Sequence, residues 1–246
     1  MKKLVRLTEA DVIAEFLKGE FYRSEYDHDR RQFEEVVHHP QLGNESENAL
    51  RRALLYRCRA TMWREIPVDT HWWEIELEPE DLQQVNVFPR AQWRTAARGN
   101  FRALHVADLM RRRYDPLKPN DLASKINALR MMMWLEGPRL TIILIAKDER
   151  GRSTVLEGNH RFVASLLLPR EIMQRRLRVV CGFSPAMDKC CWYKTSVSNI
   201  FRYLRNRIKH LWTDEADTRR WRPHAEPKQP VEDYAQSARL PVAKLK

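Results

Sequence analysis

At 246 residues, 43% of them hydrophobic, the chain is long enough to bury one large core or two small ones, and it is not compositionally disordered. Seven glycines are too few for a turn-dense all-β protein, so helices with some sheet are expected. A formal net charge of +11 favours polyanionic partners, whether nucleic acid, an acidic membrane surface or a multiply charged nucleotide, and does not choose among them.

The first third, residues 1–68, reads as helical. Thr8 can cap a helix with Asp11 three residues on, and Val12, Ile13, Phe16 and Leu17 form its apolar stripe. Asn44 and Glu47 make a second capping-box pattern, after which Leu50, Leu54, Leu55, Cys58 and Met62 recur at helical spacing. Arg51, Arg52 and Arg59 lie off that stripe, as a solvated basic face or a polyanion contact. From His71 the period changes to two. Trp73, Ile75 and Leu77 alternate with Glu74, Glu76 and Glu78, which predicts a half-buried strand whose carboxylates face water or a nucleotide-borne metal.

Asp81–Gln84 and Phe101–Arg113 are predicted helical, and Asn120 or Asp121 caps a helix with Leu122, Ile126, Leu129 and Met133 inward. Leu140–Ala146, nearly all aliphatic, suits a strand buried on both faces. Asp148–Gly151 turns the chain and Ser153–Glu157 returns as its partner. A helix from about His160 to Leu168 stops at Pro169, and Arg178–Gly182 reads as a last short strand. Asn199–Trp212 is predicted amphipathic, with Ile200, Leu204, Ile208 and Leu211 on one side and Arg202, Arg205 and Lys209 on another. Residues 214–246 are polar and proline-bearing, a weakly ordered tail. The division expected is a helical region 1–68, an α/β domain 69–190, a C-terminal helix 191–213 and the tail.

Cys58, Cys181, Cys190 and Cys191 include no C-x-x-C pair, so reduced buried thiols are expected rather than a zinc site. The N-terminus runs into acidic helical sequence, not an apolar signal core, and no segment approaches the roughly 18 apolar residues of a membrane span. A cytoplasmic protein with no membrane partner is the expectation.

The chemistry concentrates at Glu157-Gly158-Asn159-His160-Arg161, where a buried strand meets a helix. The first N–H groups of a helix lack internal partners and its dipole favours anions, so the corner predicts a phosphate site. Gly158 would let the ligand approach the backbone; Asn159, His160 and Arg161 would add donors. Glu157 would take a proton or hold Mg²⁺. A tight hairpin sets Ile142 opposite Glu157 and brings Arg139 and Thr141 beside the motif. The structural alternative is that Asn159 caps the helix and Arg161 salt-bridges Glu157.

The stretch Thr141–Leu167, with its strand, turn, strand, E-G-N-H-R and apolar helix, resembles the ParB/sulfiredoxin superfamily. That family comprises partition proteins with G-E-R-R, sulfiredoxins with G-C-H-R and free serine kinases with D-G-H-H-R. Gly158, His160 and Arg161 match the latter two, and Glu157 stands at the kinases' Asp. The resemblance implies a small mixed sheet with packed helices (an α+β fold). It also implies phosphates of ATP, ADP or CTP on Gly158, Asn159, His160 and Arg161, with Glu157 and His160 as catalytic groups and Mg²⁺ as cofactor. Asn159 replaces the reactive sulfiredoxin cysteine, and no helix-turn-helix follows. A Mg²⁺-dependent NTPase or small-molecule phosphotransferase is therefore expected. The alternative is a nucleic-acid-binding plasmid- or phage-type regulator that uses Arg202, Arg205 and Lys209.

Overall fold

In the computed structural model, which describes residues 1–89, 92–115, 117, 121–135, 137 and 139–210, a mixed sheet is covered by helices on both faces. The elements run β1 (Lys2–Leu7), α1 (Glu9–Glu20), α2 (Asp27–His38), α3 (Glu45–Trp63), β2 (His71–Glu76), α4 (Pro79–Leu82), β3 (Val85–Asn86), α5 (Gln92–Ala97), α6 (Ala103–Arg113), α7 (Leu122–Trp134), β4 (Leu140–Ala146), β5 (Ser153–Glu157), α8 (Asn159–Ser165), α9 (Arg170–Arg176), β6 (Leu177–Phe183) and α10 (Val197–His210). This is the α+β architecture that the alternating patterns predict. The strand order is β1-β2-β6-β4-β5-β3. β4 lies parallel to β6 and antiparallel to β5, so it is central.

Centrality explains the unbroken aliphatic run of β4. Its side chains alternate between two cores. Ile142, Leu144 and Ala146 pack with Val155, Phe162, Val163 and Val179 beneath α5–α9, while Ile143 and Ile145 pack with Leu156 and Val180 beneath α1–α3. Each fully buried aliphatic side chain contributes roughly 1.5–3 kcal/mol, and none on this strand can be polar without loss on one side.

The caps act as the spacing predicts. Asp11 N donates to Thr8 Oγ1 at 3.2 Å and Thr8 N to Asp11 Oδ2 at 2.7 Å. Asn44 Oδ1 accepts from the backbone of Ser46 and Glu47, and Asp121 caps α7 through Ser124 N. Asp148 Oδ1 accepts from the backbone of Arg150 and Gly151, closing the β4–β5 turn.

Several expectations are corrected. The N-terminal third is not wholly helical: Lys2–Leu7 is a strand that pairs with β2 at the sheet edge, and α1–α3 cover one sheet face. Its side chains are exposed, so burial leaves no alternation to read. The α2 helix, β3 and α5 also escaped the pattern. The helix predicted to reach Leu168 ends at Ser165, and Pro169 begins the separate helix α9. Glu74, Glu76 and Glu78 are not free carboxylates: they pair with Arg178 and Arg139, with Lys2, and with Arg170. Arg51 is not solvated either. It is fully buried, donating to Val36 O, Gln41 O and Glu47. On α10 the apolar stripe of Ile200, Leu204 and Ile208 is exposed rather than packed. Cys181, Cys190 and Cys191 are buried free thiols, while Cys58 is half-buried. Asn120, Leu211, Trp212 and the tail lie outside the described residues. No helix among the described residues is long and apolar enough to cross a membrane.

Candidate functional site

At the end of β5 the chain turns through Gly158, which has φ +90° and caps α8. This left-handed conformation is strained for any residue with a Cβ. A Cβ there would also lie 2.8 Å from Ile142 Cγ2. Gly158 is therefore required by the backbone and by packing on β4, not to admit a ligand from that side. The register differs from the tight-hairpin expectation: a bulge after Ile143 sets Ile143, not Ile142, opposite Glu157. Ile142 instead occupies the space beside Gly158.

Each residue of the motif has a partner. Asn159 Oδ1 accepts from Phe88 N at 2.8 Å, pinning the segment after β3 over the helix start. His160 Nε2 meets the Gln92 amide at 2.7 Å, and its ring packs on Trp93 at 5.0 Å. Burial lowers the pKa of His160, and Arg23, Lys125 and Arg161 push the same way. This shift favours the neutral imidazole, whose Nε2 can then accept from the Gln92 amide nitrogen. Arg161 pairs directly with Glu157. Burial pushes the Glu157 carboxyl above its usual range, opposed by Arg161 and reinforced by nearby Glu20.

Gly19, near the end of α1, lies against this pair. A Cβ at position 19 would stand 2.9 Å from Arg161 Nη2 and 3.3 Å from Glu157 Oε2, so the two side chains would have to shift to admit one. One residue on, buried Glu20 binds Arg23 at 2.6 Å and also holds Arg59 of α3.

These groups line a cleft of about 1260 Å³ between α1, α3, α7 and the start of α8. Five cationic side chains line it, Lys18, Arg23, Arg59, Lys125 and Arg161, against the carboxylates Glu20 and Glu157. The Lys125 side chain is exposed and makes no ion pair or hydrogen bond among the described residues. Phe88 and Trp192, stacked at 4.9 Å, and Trp93 also line it, both tryptophans being buried. The lining thus combines cationic and aromatic side chains. The α8 helix has seven residues and a correspondingly small dipole, so the positive charge at this cleft resides in side chains.

Not every predicted site residue reaches the cleft. Arg139 donates from Nε to Leu177 O at 3.0 Å and faces Glu74, away from the cleft. Thr141 Oγ1 donates to Glu15 Oε2 at 2.6 Å, which ties β4 to α1. Arg202 and Arg205 are exposed on α10; the side chain of Lys209 lies outside the described residues. Conversely, Arg23, Lys125, Trp93 and Glu20 entered no sequence motif, and Arg59 appeared only as part of a basic face. Gly19, alone inside a helical pattern, was the one available pointer to the α1 wall. Among the described residues no group of three or more His, Cys, Asp or Glu is placed to hold a metal ion. Comparison with protein-family models, curated proteins and solved structures gives no match.

Proposed function

We propose that the cleft binds a nucleotide and that the chain is a nucleotide-dependent phosphotransferase or NTPase, in keeping with its resemblance to the ParB/sulfiredoxin superfamily. The observation that carries the reading is the convergence of Arg161, Arg59, Arg23 and Lys125 with Phe88, Trp93 and Trp192 in the lining of one cleft. Arginine forks suit phosphate oxygens, and the half-buried Phe88 ring in the lining offers a base an apolar contact. Glu157, with a pKa above the usual carboxylate range, is the proton acceptor for an attacking hydroxyl or water. A nucleotide-borne Mg²⁺ takes its other ligands from phosphate and water, so it requires only one or two carboxylates, and Glu157 and Glu20 are the cleft's two.

The test is a thermal-shift series with ATP, ADP and CTP, with and without Mg²⁺, followed by turnover of labelled nucleotide. A stabilisation that saturates and is lost in Arg161→Ala is expected. Full binding and turnover in Arg161→Ala would remove the assignment.

The second reading is a nucleic-acid-binding regulator. It is favoured by the exposure of Arg202 and Arg205, neither of which has an ion pair among the described residues. DNA or RNA affinity measured against salt decides it: a phosphate-contacting surface weakens steeply as salt rises, and a flat response excludes it.

A further inference from the structure

The proposed site makes no use of α10, whose orientation on the protein is unusual. The side of the helix that docks is polar. Asn199 Nδ2 donates to Asp188 O at 2.9 Å and Lys194 O at 2.7 Å. Asn206 Nδ2 donates to Glu65 Oε1 at 2.5 Å, and Tyr203 meets Trp192 edge-on at 5.5 Å. These three residues, spaced by four and three, share one face.

The opposite face is a ridge of Val197, Ile200, Phe201, Leu204 and Ile208, at helical spacing and all exposed; Phe201 is 69% and Val197 72% exposed. At 3.6 residues per turn, Arg205 falls on one shoulder of this ridge and Arg207 on the other, with Arg202 behind Arg205. No side chain of the three makes an ion pair or hydrogen bond among the described residues. The helix contains no Asp or Glu to neutralise them.

We propose that this face is a peripheral docking surface for an anionic phospholipid bilayer. The helix lies in the plane of the surface, with its apolar side chains at the headgroup–acyl boundary and its arginines on lipid phosphates. Charge and shape choose this occupant. A second copy of the chain would bring unpaired arginine shoulders together with no carboxylate in α10 between them. A nucleic-acid backbone would engage the arginines and leave five apolar side chains in water. A bilayer offers an apolar layer directly beneath a sheet of negative charge, matching both features without a preformed groove.

The experiment is co-sedimentation of the full-length chain with vesicles of phosphatidylcholine alone and of phosphatidylcholine mixed with phosphatidylserine, at low and high salt. Wild type is expected to prefer the phosphatidylserine vesicles and to lose that preference in high salt. Leu204→Glu should weaken binding by about tenfold or more, the equivalent of losing one buried Leu side chain. Arg205→Glu combined with Arg207→Glu should remove the lipid preference, and Arg161→Ala in the cleft should bind vesicles as wild type does. Each substituted ridge or shoulder residue is exposed, so thermal melts should match wild type. The proposal is overturned by absence of binding to phosphatidylserine vesicles at low salt, or by binding that Leu204→Glu leaves intact. It is overturned equally if Arg161→Ala abolishes vesicle binding, if wild type is a dimer that Leu204→Glu makes monomeric, or if the chain binds DNA but no vesicle.

Discussion

The arginines of α3 and those of α10 meet opposite fates. On α3, Arg51 is buried among backbone carbonyls and Glu47, Arg52 pairs with Glu9, Arg57 with Asp29 and Arg59 with Glu20. On α10, Arg202, Arg205 and Arg207 are exposed and pair with no acid among the described residues. The same residue type is thus part of the folded framework on one helix and free charge on the other. The formal excess of +11 is therefore a poor guide to where a polyanion binds. Lys125 and the α10 arginines pair with no acid among the described residues, while Arg161, Arg59 and Arg23 of the cleft hold Glu157 and Glu20 there.

The sharpest way to break this contrast is Arg51→Ala. It leaves Val36 O, Gln41 O and Glu47 without a buried partner, and urea unfolding should show a loss of about 3–5 kcal/mol. Gly158→Ala should come next, at about 2–4 kcal/mol, because it combines a left-handed backbone with a 2.8 Å contact to Ile142. Arg59 tests the middle ground, since it is both framework and cleft lining. Arg59→Ala should lower stability by about 1–2 kcal/mol and also reduce the nucleotide-induced thermal shift, whereas a purely structural role would change the melt alone.

A smaller effect separates the two titrating groups of the corner. The folded pKa of Glu157 lies above its ordinary 4.5, so the stability tied to its proton is complete below that value and is lost as pH rises through the folded value. Wild type should therefore lose stability relative to Glu157→Gln as pH rises through that window. His160 is shifted the other way: its contribution is present above 6.5 and is lost as pH falls through the lowered folded value, a loss that His160→Gln should remove. Urea melts at stepped pH read both signs. Smallest of all, Arg205→Ala should leave stability within about 0.5 kcal/mol of wild type, as expected of a charge with no partner.

Much of the sheet was legible because its central strands are buried on both sides, which writes an aliphatic run that no other element here imitates. β4 and β5 match their predicted limits, and β6 extends its prediction by one residue at each end. β1 left no such mark, since its side chains are exposed and it is held by backbone pairing with β2. At the candidate site the motif Glu157–Arg161 was readable as a strand-to-helix corner, and its Arg161–Glu157 pair was one of the two readings the residues allowed. The α1 and α3 walls were not readable, because Gly19, Glu20, Arg23 and Arg59 are brought there by packing across the sheet rather than by neighbourhood in the chain.

The amphipathic pattern of α10 shows the limit most plainly. Periodicity predicted a helix over Asn199–Trp212 with an apolar side and a basic side, and α10 runs from Val197 to His210. Periodicity carries no information about which side of a helix meets the protein, and here the hydrogen bonds of Asn199 and Asn206 and the ring contact of Tyr203 settle it against the stripe. Local spacing thus determined α1, α3, α6, α7 and α10, the buried strands, the caps and the turn at Gly158, while α2, α5 and α9 left no readable pattern. Tertiary packing alone decided which charges are neutralised, which aromatics face the cleft and which apolar face is left outside, because each of those depends on residues far apart in sequence meeting in space.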